Sequence, residues 1–152
     1  MTTALRNNVI LMADDDADDR LLAQDAIEES RLGAELRCVE NGEELLDYLQ
    51  HRGKYAPPHT APYPGLILLD LNMPRKDGRE ALKEIKSDPD LKAIPVVVLT
   101  TSKDEEDILR SYSTGANSYI TKPVTFAGLV AAIKALGKYW LEIVELLPER
   151  ER

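Results

Sequence analysis

The segment Leu66-Ile-Leu-Leu-Asp-Leu-Asn-Met-Pro74 joins a continuously apolar run to one carboxylate, Asp70, and then to a proline turn. A short apolar run that ends at turn residues is typical of a strand buried on both faces of a parallel sheet. Residues 9–13 and 95–99 form two further runs of this kind. The three runs are therefore predicted to be the central strands of one sheet.

Strands and helical patterns alternate along the rest of the chain. The stretches 36–39 and 118–121 mix apolar and polar residues, as edge strands do. Helical periodicity follows each strand, at about 17–33, 41–53, 77–86, 102–112 and 125–147. Right-handed crossovers leave strand order 2-1-3-4-5 as the simplest arrangement. The expected fold class is doubly wound, flavodoxin-like α/β: a five-stranded parallel sheet, helices on both faces and an extended C-terminal helix.

The composition predicts one ordinary globular domain over residues 1–152. Of the 152 residues, 43% are hydrophobic and 30% are charged, which suffices for a core without disulfides. The net charge of −8 disfavours nucleic acid and anionic membranes as direct partners. Cys38 is the single cysteine, and residues 1–8 do not resemble a signal peptide. We therefore expect a cytoplasmic protein without a membrane span.

Chemistry-bearing side chains follow four of the predicted strands. They are Asp14 and Asp15 after strand 1, Asp70 after strand 3, Thr100 at the end of strand 4 and Lys122 after strand 5. Because ligands bind at the carboxyl edge of such sheets, these groups are expected to meet in one pocket. Mg²⁺ relieves the repulsion between clustered carboxylates and accepts phosphate oxygens. The pocket predicts phosphoryl transfer, with Asp70 as nucleophile and Lys122 and Thr100 on the phosphoryl oxygens.

Simpler interpretations of these residues stay open at this point. Asp16, Asp18 and Asp19 are interpreted as acids that cap the first helix or face solvent on it. Asp70, taken alone, also fits a turn residue, Thr100 an ordinary threonine at a strand end, and Lys122 a solvated lysine. The coincidence of all these groups on adjacent strand ends favours a site.

Four motifs together resemble the receiver domain of two-component response regulators. They are Asp14-Asp15, the segment 68–78, Val98-Leu-Thr-Thr101 and Tyr119-Ile-Thr-Lys-Pro123. The resemblance covers about residues 8–137. It implies that Asp70 is the phosphoacceptor, which takes a phosphoryl group from the phosphohistidine of a histidine kinase.

The resemblance also implies a metal site in the acidic pocket. Mg²⁺ would be held by Asp15, Asp70 and the backbone carbonyl of Asn72. Asp14 would act on the ion mainly through water.

Three further residues acquire roles from the same resemblance. Lys122 and Thr100 would grip the phosphoryl oxygens, and Tyr119 would swing inward behind Thr100. A cis Lys122–Pro123 bond is expected to aim the lysine at the phosphoacceptor.

Other features resemble the stand-alone regulators that are paired with phytochrome photoreceptor kinases. These are the Pro-rich stretch 54–64, the Leu-Thr-Thr-Ser run at 99–102 and the Tyr-Trp-Leu-Glu run at 139–142. Residues 138–152 are too few for a DNA-binding output domain. We therefore expect output through contact with an unidentified downstream protein.

The last predicted helix carries a heptad-like apolar stripe that is longer than a strand of the sheet. The overhanging half is expected to dimerise with a second copy. The predicted interface consists of Ile108, Tyr112, Tyr139, Trp140, Ile143, Val144 and Leu147. The alternative is that the stripe folds back on its own domain.

Three classes of function remain. The leading one is a phosphorylation switch that catalyses only its own phosphoryl transfer and hydrolysis and is otherwise not an enzyme. The second is a phosphohydrolase of the haloacid dehalogenase type, which needs an acid two residues after the nucleophile, where this chain has Asn72. The third is a receiver-like adaptor that does not respond to phosphate, and the complete set of pocket residues argues against it.

Overall fold

The structure, a computed structural model, describes residues 8–30 and 33–140. Strands and helices alternate along these residues, as predicted. The elements are β1 (Val9–Ala13), α1 (Ala17–Ser30), β2 (Glu35–Val39), α2 (Gly42–Gln50), β3 (Leu66–Leu69), α3 (Gly78–Ser87), β4 (Val96–Thr100), α4 (Glu105–Thr114), β5 (Ser118–Thr121) and α5 (Phe126–Lys138). A 3₁₀ turn (Gly53–Tyr55) follows α2.

All strand pairs in the described sheet are parallel, and their order is β2-β1-β3-β4-β5. The predicted fold class and strand order are confirmed. Ala13 of β1 lies opposite both Val39 and Leu69, so the three strands end at the same level. The ladder then continues for one more residue, because the Asp70 amide donates to the Ala13 carbonyl at 3.0 Å. The register thus brings the residues after β1, β3 and β4 to one edge.

Two hydrophobic clusters cover the two faces of the sheet. Leu11 and Ala13 of β1 belong to the cluster that contains the apolar residues of α2 and α3. Ile10 and Met12 belong to the other cluster, with the apolar residues of α1 and α5. Side chains alternate along a strand, so a strand covered on both faces must be apolar at every position. This is why β1, β3 and β4 are continuous apolar runs.

Helices α2 and α4 have boundaries that differ from the predicted ones. The N-terminus of α2 agrees, with the Asn41 side chain accepting from the Glu44 amide at 2.7 Å. The helix ends at Gln50 rather than near residue 53, because His51 adopts a left-handed conformation with φ of 54°. Helix α4 begins at Glu105 and not at Ser102, since Asp104 is the residue whose side chain caps it.

The Pro-rich stretch before β3 is a loop, as predicted, and it is docked on the domain. Ala61 and Tyr63 are buried in the cluster that contains α2 and α3. The Tyr48 hydroxyl donates to the Pro62 carbonyl at 2.8 Å, and the His51 ring contacts the Ala61 carbonyl through Nε2 at 2.8 Å. These contacts hold the loop against the C-terminal end of α2.

Helix α5 begins after Thr125, whose hydroxyl accepts from the Gly128 amide at 3.0 Å. It packs against α1 and buries Leu129 and Ile133. The part of the predicted helix from residue 141 to residue 147 lies outside the described residues. Within the described part of the chain, no helix is both long enough and apolar enough to cross a lipid bilayer.

Candidate functional site

Asp70 lies at the carboxyl edge in the middle of the sheet, directly after β3. Its Oδ1 accepts from the Thr100 hydroxyl at 2.7 Å and from the Asn72 amide at 3.1 Å. Its Oδ2 accepts from Lys122 Nζ at 3.1 Å. Asp70, Thr100 and Lys122 are all buried. The contacts fix the orientation of the carboxylate at the floor of the pocket.

Lys122 brings the positive charge of the pocket from the end of β5. Its Nζ lies 2.7 Å from Asp14 Oδ2, 2.8 Å from Asp19 Oδ2 and 3.1 Å from Asp70 Oδ2. The three N–H groups of an ammonium match three acceptors. Burial acts to lower the pKa of Lys122, but the hydrogen bonds to Asp14 and Asp19 outweigh it and raise the pKa. These contacts favour the charged form of the lysine in this pocket.

The structure brings together the three aspartates predicted to bind a metal ion. One carboxylate oxygen from each of Asp14, Asp15 and Asp70 lies within 4.8 Å of the others. Burial raises the pKa of Asp14, although the hydrogen bond from Lys122 opposes this. A raised pKa means that the buried negative charge is incompletely compensated. Such an all-oxygen cluster with excess negative charge fits a hard divalent cation, and Asp15 is its exposed member.

Asn72, the fourth predicted metal ligand, lies beside this cluster. Its backbone N–H donates to Asp70 Oδ1 at 3.1 Å, and its side-chain oxygen accepts from Arg79 Nη2 at 3.4 Å. The role of its backbone carbonyl as a metal ligand stays a prediction.

The acidic residues at the start of α1 have different roles. Asp16 Oδ1 accepts from the amides of Asp18 at 2.9 Å and Asp19 at 3.3 Å, which confirms Asp16 as a capping residue. Asp18 is exposed. The prediction that Asp19 only faces solvent is wrong, because its side chain is 20% exposed and pairs with Lys122. Helix α1 begins at the carboxyl edge of the sheet, so side chains in its first turn can reach the pocket. The position of Asp19 in that first turn could therefore have indicated its contact with Lys122.

Thr100 and Tyr119 occupy the neighbouring strands β4 and β5, as predicted. The Tyr119 side chain is half-buried, and its hydroxyl donates to the Ser102 carbonyl at 3.0 Å. Tyr119 therefore contacts the loop that follows Thr100, and the inward swing of its ring stays a prediction.

An ion pair beside the pocket was missed by the sequence interpretation. Arg79 Nε and Nη2 donate to the two carboxylate oxygens of Asp107, each at 2.7 Å. The Ser102 hydroxyl donates to Asp107 Oδ2 at 2.8 Å. Arg79 holds the pKa of Asp107 down at about 2. The Arg79–Asp107 pair joins α3 to α4. The spacing of residues 79 and 107 along the sequence does not predict this contact.

The expectation of a cis Lys122–Pro123 bond is wrong. Among the described residues, the cis peptide bond is Pro57–Pro58. The Lys122 amide donates to the Thr100 carbonyl at 2.7 Å and so extends the β4–β5 ladder by one residue. From that position the long lysine side chain reaches Asp70 across a trans peptide.

The residues predicted at a dimer interface lie in different environments. Tyr112 and Tyr139 are exposed and Ile108 is half-buried. Trp140 is 9% exposed and belongs to its own domain's cluster with α1 and α5. The remaining predicted interface residues, Ile143, Val144 and Leu147, lie outside the described residues.

Comparison of the sequence with models of known protein families agrees with the fold and the pocket. Residues 10–134 match the family model of the response regulator receiver domain. The chain belongs to the response regulator receiver family. Since receiver domains bind Mg²⁺ at an acidic aspartate cluster, the Asp14, Asp15 and Asp70 oxygens correspond to that type of site.

Similar receivers include regulators linked to phytochromes. The response regulator Rcp1 of Synechocystis sp. is 44% identical over 138 residues, which are 91% of this chain and 92% of Rcp1. The structure of Mn²⁺-bound Rcp1 superposes with a TM-score of 0.87 at 44% identity, covering 92% of this chain and 99% of that one. The phosphorylated cyanobacterial phytochrome response regulator RcpA gives a TM-score of 0.85 at 44% identity, covering 92% and 98%. This receiver is thus similar to phytochrome response regulators over nearly the full length of both chains.

Proposed function

We propose that this receiver is a phosphorylation switch in which Asp70 accepts a phosphoryl group from a histidine kinase in a Mg²⁺-dependent reaction. The observation that carries the proposal is the environment of Asp70. Its carboxylate contacts a hydroxyl at 2.7 Å and an ammonium at 3.1 Å, beside two more aspartates. Phosphoryl transfer depends on positioning and charge neutralisation, and these side chains offer both.

The positions of the hydrogen-bond donors Lys122 and Thr100 suit a transfer of the phosphoryl group to Asp70. Transfer breaks the phosphorus–nitrogen bond of phosphohistidine and forms a phosphorus–oxygen bond to Asp70. The imidazole leaves with the bonding electron pair and takes a proton from solvent. Lys122 Nζ and Thr100 Oγ1 already contact the accepting carboxylate, so they lie where phosphoryl oxygens arrive. Mg²⁺, when held by the aspartate cluster, supplies neutralisation of the phosphoryl charge.

The same pocket is proposed to release the phosphoryl group as inorganic phosphate by attack of water. Asp15 is exposed, so water reaches the acidic side of the pocket. The protein then acts only on its own aspartyl phosphate, and signalling depends on the interval between transfer and hydrolysis. Membership of the receiver family favours this over the phosphohydrolase considered from the sequence.

A surface beside the pocket supports a protein as phosphoryl donor. Leu21 on α1, Val124 after β5 and Phe126 at the start of α5 are 62%, 95% and 70% exposed. They border a groove that also contains Asp19, the partner of Lys122. Clustered exposed apolar residues mark interaction surfaces. We propose that the donor kinase docks here, and the similarity to RcpA and Rcp1 favours a phytochrome-type kinase.

Labelling of variants tests the phosphoacceptor. Incubation with acetyl phosphate and Mg²⁺, or with a phosphorylated kinase, is expected to add one acid-stable, base-labile phosphoryl group. Asp70→Asn should abolish it, and Asp18→Asn, which removes an exposed acid, should not. Equal labelling of the Asp70→Asn variant would refute the assignment. Failure of both donors to label a wild type that binds Mg²⁺ would instead identify a phosphate-blind adaptor.

The docking surface is tested separately from the chemistry. Phe126→Ser is expected to slow transfer from the kinase about tenfold or more, because an exposed aromatic anchor is lost. Labelling by acetyl phosphate should stay unchanged, since the pocket is intact. Leu109→Ser on α4, where the native residue is 68% exposed, is the matched control. If Leu109→Ser slows kinase transfer as much as Phe126→Ser, the surface is assigned wrongly.

We also propose that signalling uses a homodimer through the α4–α5 side. Tyr112 and Tyr139 are exposed there, and the Tyr112 hydroxyl accepts from the Tyr119 amide at 3.1 Å. This contact links the surface to β5. Because Trp140 is buried in its own domain, Tyr139→Ser is a cleaner test than truncation of Trp140. Light scattering at tens of micromolar should detect a dimer that Tyr139→Ser weakens, and a strictly monomeric wild type would refute it.

A further inference from the structure

Asp19 differs from the other carboxylates that contact Lys122. Asp14 and Asp70 contact the ammonium and also belong to the aspartate cluster that fits a cation. Asp19 contacts the ammonium at 2.8 Å and lies outside that cluster. It comes from the first turn of α1, and its side chain is only 20% exposed. Lys122 therefore has one anionic partner that is not shared with the metal site.

This distinction matters when a divalent cation binds in the pocket. A divalent cation held by Asp14, Asp15 and Asp70 competes with the ammonium for the same oxygens and repels it. A buried lysine that loses two of its three anionic partners is destabilised in that position. Asp19 is then the carboxylate, among those that contact Lys122, that still compensates the ammonium.

We propose that Asp19 is a positioning residue for phosphoryl transfer: it retains the Lys122 ammonium in the pocket, aimed at Asp70, when Mg²⁺ engages the other carboxylates. The inference rests on the proposed function of Asp70. Asp19 touches neither the phosphoacceptor nor the metal cluster, so it acts through the lysine. A second consequence follows, because an ammonium that is bound to Asp19 competes less for Asp14 and Asp70 and thereby favours metal binding.

A double-mutant cycle between Asp19 and Lys122 tests the proposal. Asp19→Asn is expected to weaken Mg²⁺ binding about fivefold, measured by titration calorimetry, and to slow labelling by acetyl phosphate by a similar factor. In a Lys122→Met background, Asp19→Asn should change Mg²⁺ affinity less than about twofold, because the ammonium it acts on is gone. Asp18→Asn removes the same charge from an exposed neighbour and is the matched control.

A spectroscopic measurement separates positioning from a merely structural role. In the wild type with Mg²⁺, the ¹⁵Nζ signal of Lys122 should stay sharp and protected from exchange. In Asp19→Asn with Mg²⁺ it should broaden, although thermal unfolding shows a folded protein. A general loss of stability would not produce this combination.

The outcomes separate this inference from the proposed function. Equal effects of Asp19→Asn and Asp18→Asn, or equal effects of Asp19→Asn with and without Lys122, would overturn the role of Asp19. Labelling that depends on Asp70 in the same experiments would leave the proposed function intact. If instead Asp70 is not labelled in any variant, the proposed function fails, while calorimetry and the Lys122 signal still decide the role of Asp19.

Discussion

Two ionic sites lie side by side in this receiver, and their charge balance differs. The acidic pocket has four carboxylates, Asp14, Asp15, Asp19 and Asp70, around the single ammonium of Lys122. At the junction of α3 and α4, the Arg79 guanidinium forms two parallel bonds of 2.7 Å to Asp107 and a further ion pair of 3.0 Å with Asp77. The first site has three more carboxylates than cations, whereas at the second site one guanidinium faces two carboxylates.

The difference indicates what each site is for. In the pocket, burial raises the pKa of Asp14 despite the hydrogen bond from Lys122. At the junction, Arg79 lowers the pKa of Asp107 to about 2, so the pair is mutually stabilising. A cluster with excess negative charge gains free energy when a cation binds to it, whereas a carboxylate that is already held by a bidentate guanidinium gains little from a further cation. We infer that the pocket is a ligand site and that the junction holds α4 in place.

The largest effect is expected from a substitution at Gly78, because this residue lies between the acidic pocket and the α3–α4 junction and a side chain there would disturb both. A Cβ at this position would come within 2.2 Å of the Asp70 carbonyl oxygen. Gly78→Ala is therefore expected to lower the free energy of unfolding by about 3 kcal/mol, since the loop after Asp70 must move. The variant should unfold at a lower urea concentration than the wild type, and acetyl phosphate should label it more slowly.

Gly33→Ala is the control for this substitution. Gly33 has a φ of +72°, but no atom lies within 4 Å of the position that a methyl group would occupy there. Gly33→Ala should lower the free energy of unfolding by only about 1 kcal/mol, which is roughly the strain of an alanine in a left-handed backbone conformation. Equal destabilisation by the two variants would show that close approach to Asp70 is not the reason for glycine at position 78.

The second prediction uses Mg²⁺ to separate the two sites. At about one hundred times its dissociation constant, Mg²⁺ should stabilise the protein by about 2.7 kcal/mol. For a domain of this size, that corresponds to a rise in melting temperature of about 5–10 °C. Asp15→Asn should remove most of the rise, whereas Arg79→Gln should leave it unchanged. A Mg²⁺ response that is lost in Arg79→Gln would show that the two sites are not independent.

The smallest expected effect comes from Arg79 itself. Arg79→Gln should cost about 1 kcal/mol at neutral pH, as expected of a partly exposed bidentate pair. The pKa of Asp107 is lower in the folded protein than its ordinary 3.8. The pair's contribution is therefore complete above about pH 4 and disappears as the pH falls towards 2.

Acid denaturation of the two proteins checks the sign of this effect. The stability difference between the wild type and Arg79→Gln should be constant near neutral pH and should shrink below about pH 4. Labelling of Asp70 at neutral pH should stay within about twofold of the wild type. A stability difference that grows on acidification would contradict the assigned direction of the Asp107 pKa.

The pattern of apolar runs was enough to predict the sheet order and the pocket. Continuous runs can pack only between two helical layers, and parallel strands end at a common edge, so Asp14, Asp70 and Thr100 had to lie close together. Helix ends were less predictable. Helix α4 begins at Glu105 because Asp104 caps it, and the hydroxyl of Ser102, where the start was predicted, bonds Asp107 instead.

The amino-acid sequence by itself determined the fold class, the family and the residues at the strand ends, because these depend on periodicity and on short motifs along the chain. Tertiary structure decided which charges meet. Asp19 pairs with Lys122 over 103 positions and Arg79 pairs with Asp107 over 28. Such pairs depend on the twist of the sheet and on the axial rotation of α1, α3 and α4. Packing of the complete core sets these angles, and no local sequence pattern encodes them.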